Sequence, residues 1–225
     1  MAGFSGIVNF IREDAVKMMN DKSGIDWDDA FANGAYIENS MSYPPLWAVR
    51  AAAFRAEADR VEMDIGYGEH PREKLDLFFP SEAPCGLVVI VHGGHLVTRM
   101  VCDDSPLLSE VLERVEGLVS ISGLHDLRPL QLTAMNEHLH LTPQSAALES
   151  AVLHRPAGRA EVVCWVGGAE RPEFLRQSAV LVETWGHAGA KTQLVVDPIK
   201  HHFDVIDGLK DPQSDMTRTL LGVAL

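Results

Sequence analysis

The stretch from Leu87 to Met100, LVVIVHGGHLVTRM, constrains this chain more than any other. Leu87-Val88-Val89-Ile90-Val91 is a short, continuous apolar run rich in β-branched residues, the pattern of a strand buried on both faces of a parallel sheet. It ends in His92-Gly93-Gly94, where two glycines let the backbone turn sharply and aim its amides at a ligand. Helix-like sequence begins at once, at His95-Leu96-Val97-Thr98-Arg99-Met100.

The flanking sequence supplies the rest of an α/β fold. Residues 1–24 read as a weakly helical extension, and Trp27 to Ile37 as a short helix with a turn at Asn33-Gly34. Pro44-Pro45 can open a helix to about Ala58, with Leu46, Trp47, Arg50 and Phe54 at helical spacing. Val61 to Ile65 alternates as a half-buried strand, with Leu75 to Phe79 as its hairpin partner. Gly66 and Gly68 between them lack the third glycine and the helix of a phosphate loop, and are read as a plain turn. Further on, Gly117 to Gly123, Glu161 to Val166 and Gln193 to Val196 read as strands. Thr142-Pro143, Pro172 and Asp211-Pro212 each open a helix, the second placing Phe174, Leu181 and Trp185 on one face, the third carrying Met216, Leu220 and Val223. Strands that alternate with helices imply a mostly parallel α/β sheet with right-handed crossovers. No repeat or linker interrupts it, so residues 25–225 are expected to form a single domain.

Composition narrows the partners. A chain of 225 residues, 46% of them apolar, can bury a full core. A formal charge of −13 argues against nucleic acid and anionic membrane as partners, since both attract basic surfaces. Cys85, Cys102 and Cys164 form no CxxC pair, and their odd number fits a reduced, cytoplasmic protein. The first residues carry Glu13 and Asp14 too early for a signal peptide, and no apolar run approaches the roughly 20 residues of a membrane helix.

In open parallel sheets the reactive groups sit on loops beyond the carboxyl ends of the strands. Three such loops carry chemistry. Gly93 and Gly94 could offer amides to a developing oxyanion. Glu170 follows the strand at 161–166, where a carboxylate could orient an imidazole, and His202 follows the last strand, where a general base could reach that carboxylate.

Together HGG (92–94), SISGLHDLRPL (120–130), VGGAERPEFLRQS (166–178) and HHFDVIDGL (201–209) resemble the kynurenine formamidase branch of the α/β-hydrolases, over about Asp26 to Pro212. The resemblance implies Glu170 as triad acid, His202 as triad base, and His92, Gly93 and Gly94 as the oxyanion loop. It also implies hydrolysis of aryl formamides or small esters without a cofactor. The pattern departs from the family at one point. The nucleophile of these enzymes lies in a G-x-S-x-G elbow, and no serine of this chain has that context; Ser120 and Ser122 come closest, inside LVSISGL. Two strand–helix units that the family carries after HGG, on the order of 60–70 residues, are also missing. Gly93-Gly94 therefore reads as the junction of an internal deletion, with the HGG strand left unpaired or driven against strand 117–122.

Each candidate also has a plainer reading. His92 can hold its turn, Glu170 can be an exposed loop acid, and His201 a solvent-facing neighbour of His202. Asp126 is a competing acid better suited to capping the turn after it, and Asp26-Trp27-Asp28-Asp29 a solvated helix start. Glu137-His138-Leu139-His140 is not a metal site, since histidines at i and i+2 do not share a helix face. Three functions follow: a hydrolase acting on a small formamide or ester, a deletion form of that enzyme without its chemistry, and a non-catalytic binding or assembly protein. Exposed strand edges would favour self-association in the second case.

Overall fold

The computed structural model describes residues 24–83, 86–90 and 93–222. The span expected as one domain divides into two compact units, one of residues up to Ile37 and from Ile90 onward, the other Glu38–Val89. The expected extension, apart from Gly24, lies outside the described residues, as do His92, Cys85 and Val223.

In the larger unit, α1 (Trp27–Ala30) is capped by Asp26, whose carboxylate accepts the Asp29 N–H at 3.1 Å. In the smaller unit, α2 (Tyr43–Glu57) starts at the prolines as their fixed φ favours. Strands β1 (Val61–Gly66) and β2 (Lys74–Phe78) form the expected antiparallel hairpin, with a bulge between Glu62 and Ile65 where Asp64 takes a left-handed φ of 55°.

The larger unit is built on a three-stranded parallel sheet. After α3 (Gly94–Arg99) and α4 (Ser109–Leu112) comes β3 (Gly117–Ile121). The chain continues through α5 (Asn136–Leu139) and α6 (Pro143–Leu148) to β4 (Glu161–Gly167), α7 (Pro172–His187), β5 (Thr192–Asp197) and α8 (Asp215–Leu220). The order is β3-β4-β5, all parallel, so strand and helix alternate as the pattern required. The central strand β4 is apolar almost throughout and buried on both faces. Its period of two splits the core. Val162 and Cys164 pack with Leu181 and Trp185 of α7, while Val163 and Trp165 pack with Val205 and Met216. Val166 joins a third cluster with Trp27, Phe31, Leu127, Leu130 and Phe174.

Three expectations are corrected. The described part of the 87–91 run, Leu87 to Ile90, belongs to no strand, and Leu87, Val89 and Ile90 are about 70% exposed (76%, 68% and 73%). An apolar run becomes a buried strand only when neighbouring strands take up its backbone hydrogen bonds, and no described strand pairs with it. Strand β3 ends at Ile121, so Ser122 lies just past it, with its N–H on Trp165 O and a φ of 49°. The last helix begins at Asp215 under a Ser214 cap rather than at Asp211-Pro212. Among the described residues no helix is long and apolar enough to cross a membrane.

Candidate functional site

The carboxyl ends of β4 and β5 lie side by side, with Gly167 opposite Asp197. The loops that leave them must cross closely. Gly167 and Gly168 permit it: a Cβ on Gly167 would sit 2.2 Å from Lys200 O, and one on Gly168 2.9 Å from Pro198 Cα. Backbone bonds then lock the loops together, Gly168 N–H to Asp197 O at 2.6 Å and Ala169 N–H to Lys200 O at 2.9 Å. Glu170 and His202 are brought face to face, with His202 Nδ1 2.7 Å from Glu170 Oε2.

Glu170 is not the exposed loop acid of the plainer reading; its side chain has no exposed surface, while that of His202 keeps 32% of its own. A carboxylate can only accept, and four donors converge on this one. Oε1 accepts Ser122 Oγ–H at 2.5 Å and Gly167 N–H at 2.9 Å; Oε2 accepts Asn33 Nδ2–H at 3.0 Å besides His202. The imidazole is held edge-to-face against Phe174 (ring centres 4.9 Å apart) and lies beside Phe203 at 5.8 Å. With Nδ1 turned to the acid, Nε2 occupies the opposite edge of the ring and has no hydrogen-bond partner among the described residues.

The remaining candidates make contacts of their own. Gly94 opens α3, and a Cβ on it would meet Ser120 Oγ at 2.3 Å and Gly123 Cα at 2.7 Å. Gly93 precedes it with a φ of 119°. Ser120 is buried in β3, its Oγ 3.3 Å from His125 Nε2, whose Nδ1 is 3.2 Å from Thr98 Oγ1. That imidazole is wholly enclosed, and burial, with His95 adding to it, pushes its pKa down to about 3. Asp126 caps its own turn, taking Arg128 N–H at 3.2 Å and the Arg128 guanidinium at 2.7 Å. His201 is part-buried rather than solvent-facing, its Nδ1 accepting Phe203 N–H at 3.1 Å.

Two residues at Glu170 escaped the sequence reading. Asn33 sits 137 positions away and passed for a turn residue. Ser122 passed for a strand residue, although a serine before glycine at a strand end could have signalled a special backbone. Nor is the acidic tract at the first helix merely solvated: Asp28 accepts Ala134 N–H at 2.7 Å and Asp29 pairs with Arg171. Among the described residues, Asp103, Asp104 and His154 are the group whose spacing could hold a metal ion, their ligand atoms within 4.8 Å of one another, but Asp104 is already taken by Arg99 at 2.8 Å.

No protein-family model matches the chain. A kynurenine formamidase of Danio rerio is 25% identical over 181 residues, covering 77% of this chain and 61% of that protein. Its counterpart in Salmo salar is 27% identical over 172 residues, covering 73% and 58%. The chain thus spans about three fifths of the length of the curated relatives it matches. Among solved structures, a protein of Silicibacter sp. TM1040 described as a "putative thioesterase" superposes with a TM-score of 0.77 at 33% identity, over 88% of this chain and 100% of that one.

Proposed function

We propose that this hydrolase-family protein, a distant homologue of the kynurenine formamidases, keeps the acid–base half of their catalytic site and lacks the nucleophilic half. The observation that carries this reading is the contact of Glu170 Oε2 with His202 Nδ1 at 2.7 Å, made by a carboxylate sealed from solvent. An acid that holds Nδ1–H leaves Nε2 unprotonated and outward, the arrangement of a general base. Gly93 and Gly94 are the residues to supply oxyanion amides, with His92 before them.

A working triad needs a hydroxyl against His202 Nε2. Ser122 cannot serve. It binds Glu170 Oε1, the oxygen turned away from the imidazole, and so stands on the acid's side of the pair. Ser120 is committed to His125. The simplest account is an internal deletion at Gly93-Gly94 that removed the elbow with its flanking strands, leaving Leu87–Ile90 without sheet partners. The natural substrate class of the complete site is a small aryl formamide or ester, and the protein as it stands is a catalytically silent, cytoplasmic form.

The test is direct. The chain should hydrolyse neither N-formyl-kynurenine nor p-nitrophenyl acetate above background and should take up no fluorophosphonate label. A segment bearing a G-x-S-x-G elbow, inserted between Gly93 and Gly94, should restore both, and His202→Ala should abolish them again. Stoichiometric labelling of any serine in the unmodified chain would overturn the reading. Binding and oxyanion contacts alone sustain ~10³–10⁴-fold catalysis over water when a triad member is lost from an intact pocket; with two strand–helix units missing that pocket is not expected, so the chain should match both buffer and His202→Ala.

A further inference from the structure

We infer that Asn33 and Ser122 are positioning residues for the Glu170–His202 pair: they fix the rotation of the Glu170 carboxylate so that one oxygen is kept for His202 Nδ1–H. The inference rests on the proposed acid role of Glu170 and deepens it.

A carboxylate at the end of a glutamate side chain rotates freely unless both oxygens are claimed. In this site the claim is complete. Ser122 Oγ–H and Gly167 N–H occupy Oε1, and Asn33 Nδ2–H takes one lone pair of Oε2, leaving the other to His202. The orientation of the Asn33 amide is itself decided by its neighbours. The Arg171 N–H donates to Asn33 Oδ1 at 2.7 Å, so the amide nitrogen must face Glu170. The Asn33 segment is pinned to the acid loop a second and third time, by the Arg171 guanidinium on Asp29 and by its packing over the Tyr36 ring at 4.0 Å. Asn33 is buried, within a 3-10 turn spanning Asn33–Tyr36.

Ser122 reaches Glu170 by adopting a left-handed backbone, a conformation that is strained for a non-glycine residue and is kept where the surroundings demand it. The demand is visible. Its N–H stays on Trp165 O at 2.8 Å, the last rung beside β3, while its side chain turns to Glu170. Neither residue hydrogen-bonds to the imidazole; each is joined to His202 through Glu170.

The experiment reads the tautomer of His202 from the ¹⁵N shifts of its two ring nitrogens, in the full chain with the ring neutral. The native protein should hold the Nδ1–H form. Glu170→Ala, which removes the acceptor, should shift the ring towards the Nε2–H form that an unpartnered histidine side chain prefers. Asn33→Ala and Ser122→Gly should each lower the Nδ1–H to Nε2–H ratio about fivefold, the equivalent of ~1 kcal/mol for one lost hydrogen bond. Ser122→Gly removes the hydroxyl while glycine accepts the φ of 49° without strain, so it carries the test if Asn33→Ala fails to fold. A thermal melt reports general destabilisation separately, and a merely structural residue would move the melt without moving the tautomer. If folded Glu170→Ala shifts the tautomer while folded Asn33→Ala and Ser122→Gly both keep the native ratio, the positioning role is overturned and the acid role stands. If folded Glu170→Ala leaves the tautomer unchanged, the acid role falls and this inference falls with it.

Discussion

Acidification should destabilise the larger unit through His125. The imidazole has no exposed surface, and its two hydrogen-bond partners, Thr98 and Ser120, are both uncharged. Thr98 Oγ1 donates to His95 O at 2.8 Å and so accepts from His125 Nδ1–H at 3.2 Å, which leaves Nε2 to accept from Ser120 Oγ–H at 3.3 Å. Burial, and then His95, push the pKa down to about 3, against about 6.5 in the unfolded chain. The sign follows from which state binds the proton first. Above pH ~6.5 neither state is protonated and His125 leaves stability independent of pH; below it the unfolded chain takes up the proton and the folded chain does not. Stability therefore falls by ~1.4 kcal/mol per pH unit from about 6.5 towards about 3, or ~2 kcal/mol by pH 5. Urea unfolding followed by tryptophan fluorescence, compared at pH ~7.5 and ~5 for the native chain and His125→Gln, isolates this contribution from the carboxylates common to both. The variant will be less stable at neutral pH because it disturbs a tight site, where a Cβ on Gly123 would stand 2.6 Å from His125 Cε1. Its loss between the two pH values should nonetheless be smaller than the native loss by ~2 kcal/mol. Equal losses in the two proteins would refute the argument.

Two further outcomes are expected. Cys102 and Cys164 should resist iodoacetamide in the native state and react fully in urea, read by mass mapping, because burial pushes their thiols up to about 11 and about 12 and only the thiolate is nucleophilic. Gly94→Ala should destabilise the larger unit by ~1–3 kcal/mol in urea unfolding, since its methyl would have to displace Ser120 Oγ and the Gly123 backbone from 2.3 and 2.7 Å.

The local rules of the sequence determined the elements. The apolar run of β4, the β-branched β3 and β5, the proline-led helices α2 and α7 and the hairpin of β1 with β2 all fall where periodicity and caps require, within a residue or two. Glu170 and His202 were legible as candidates because they follow strand ends, where an α/β sheet puts its chemistry. Tertiary structure decided everything that depends on what a residue meets from far along the chain. The run at Leu87–Ile90 has the composition of a buried strand, yet composition cannot provide the neighbours that would take its hydrogen bonds, and it stays exposed. Asn33 and Ser122 carry no local mark of their service to Glu170. They reach it across 137 and 48 positions, because two glycines let the β4 and β5 loops cross and a bound N-terminal segment closes over the acid. His125 carries no mark in the sequence and becomes the most strongly perturbed of the described histidines, since its proton affinity is set mainly by the solvent it loses.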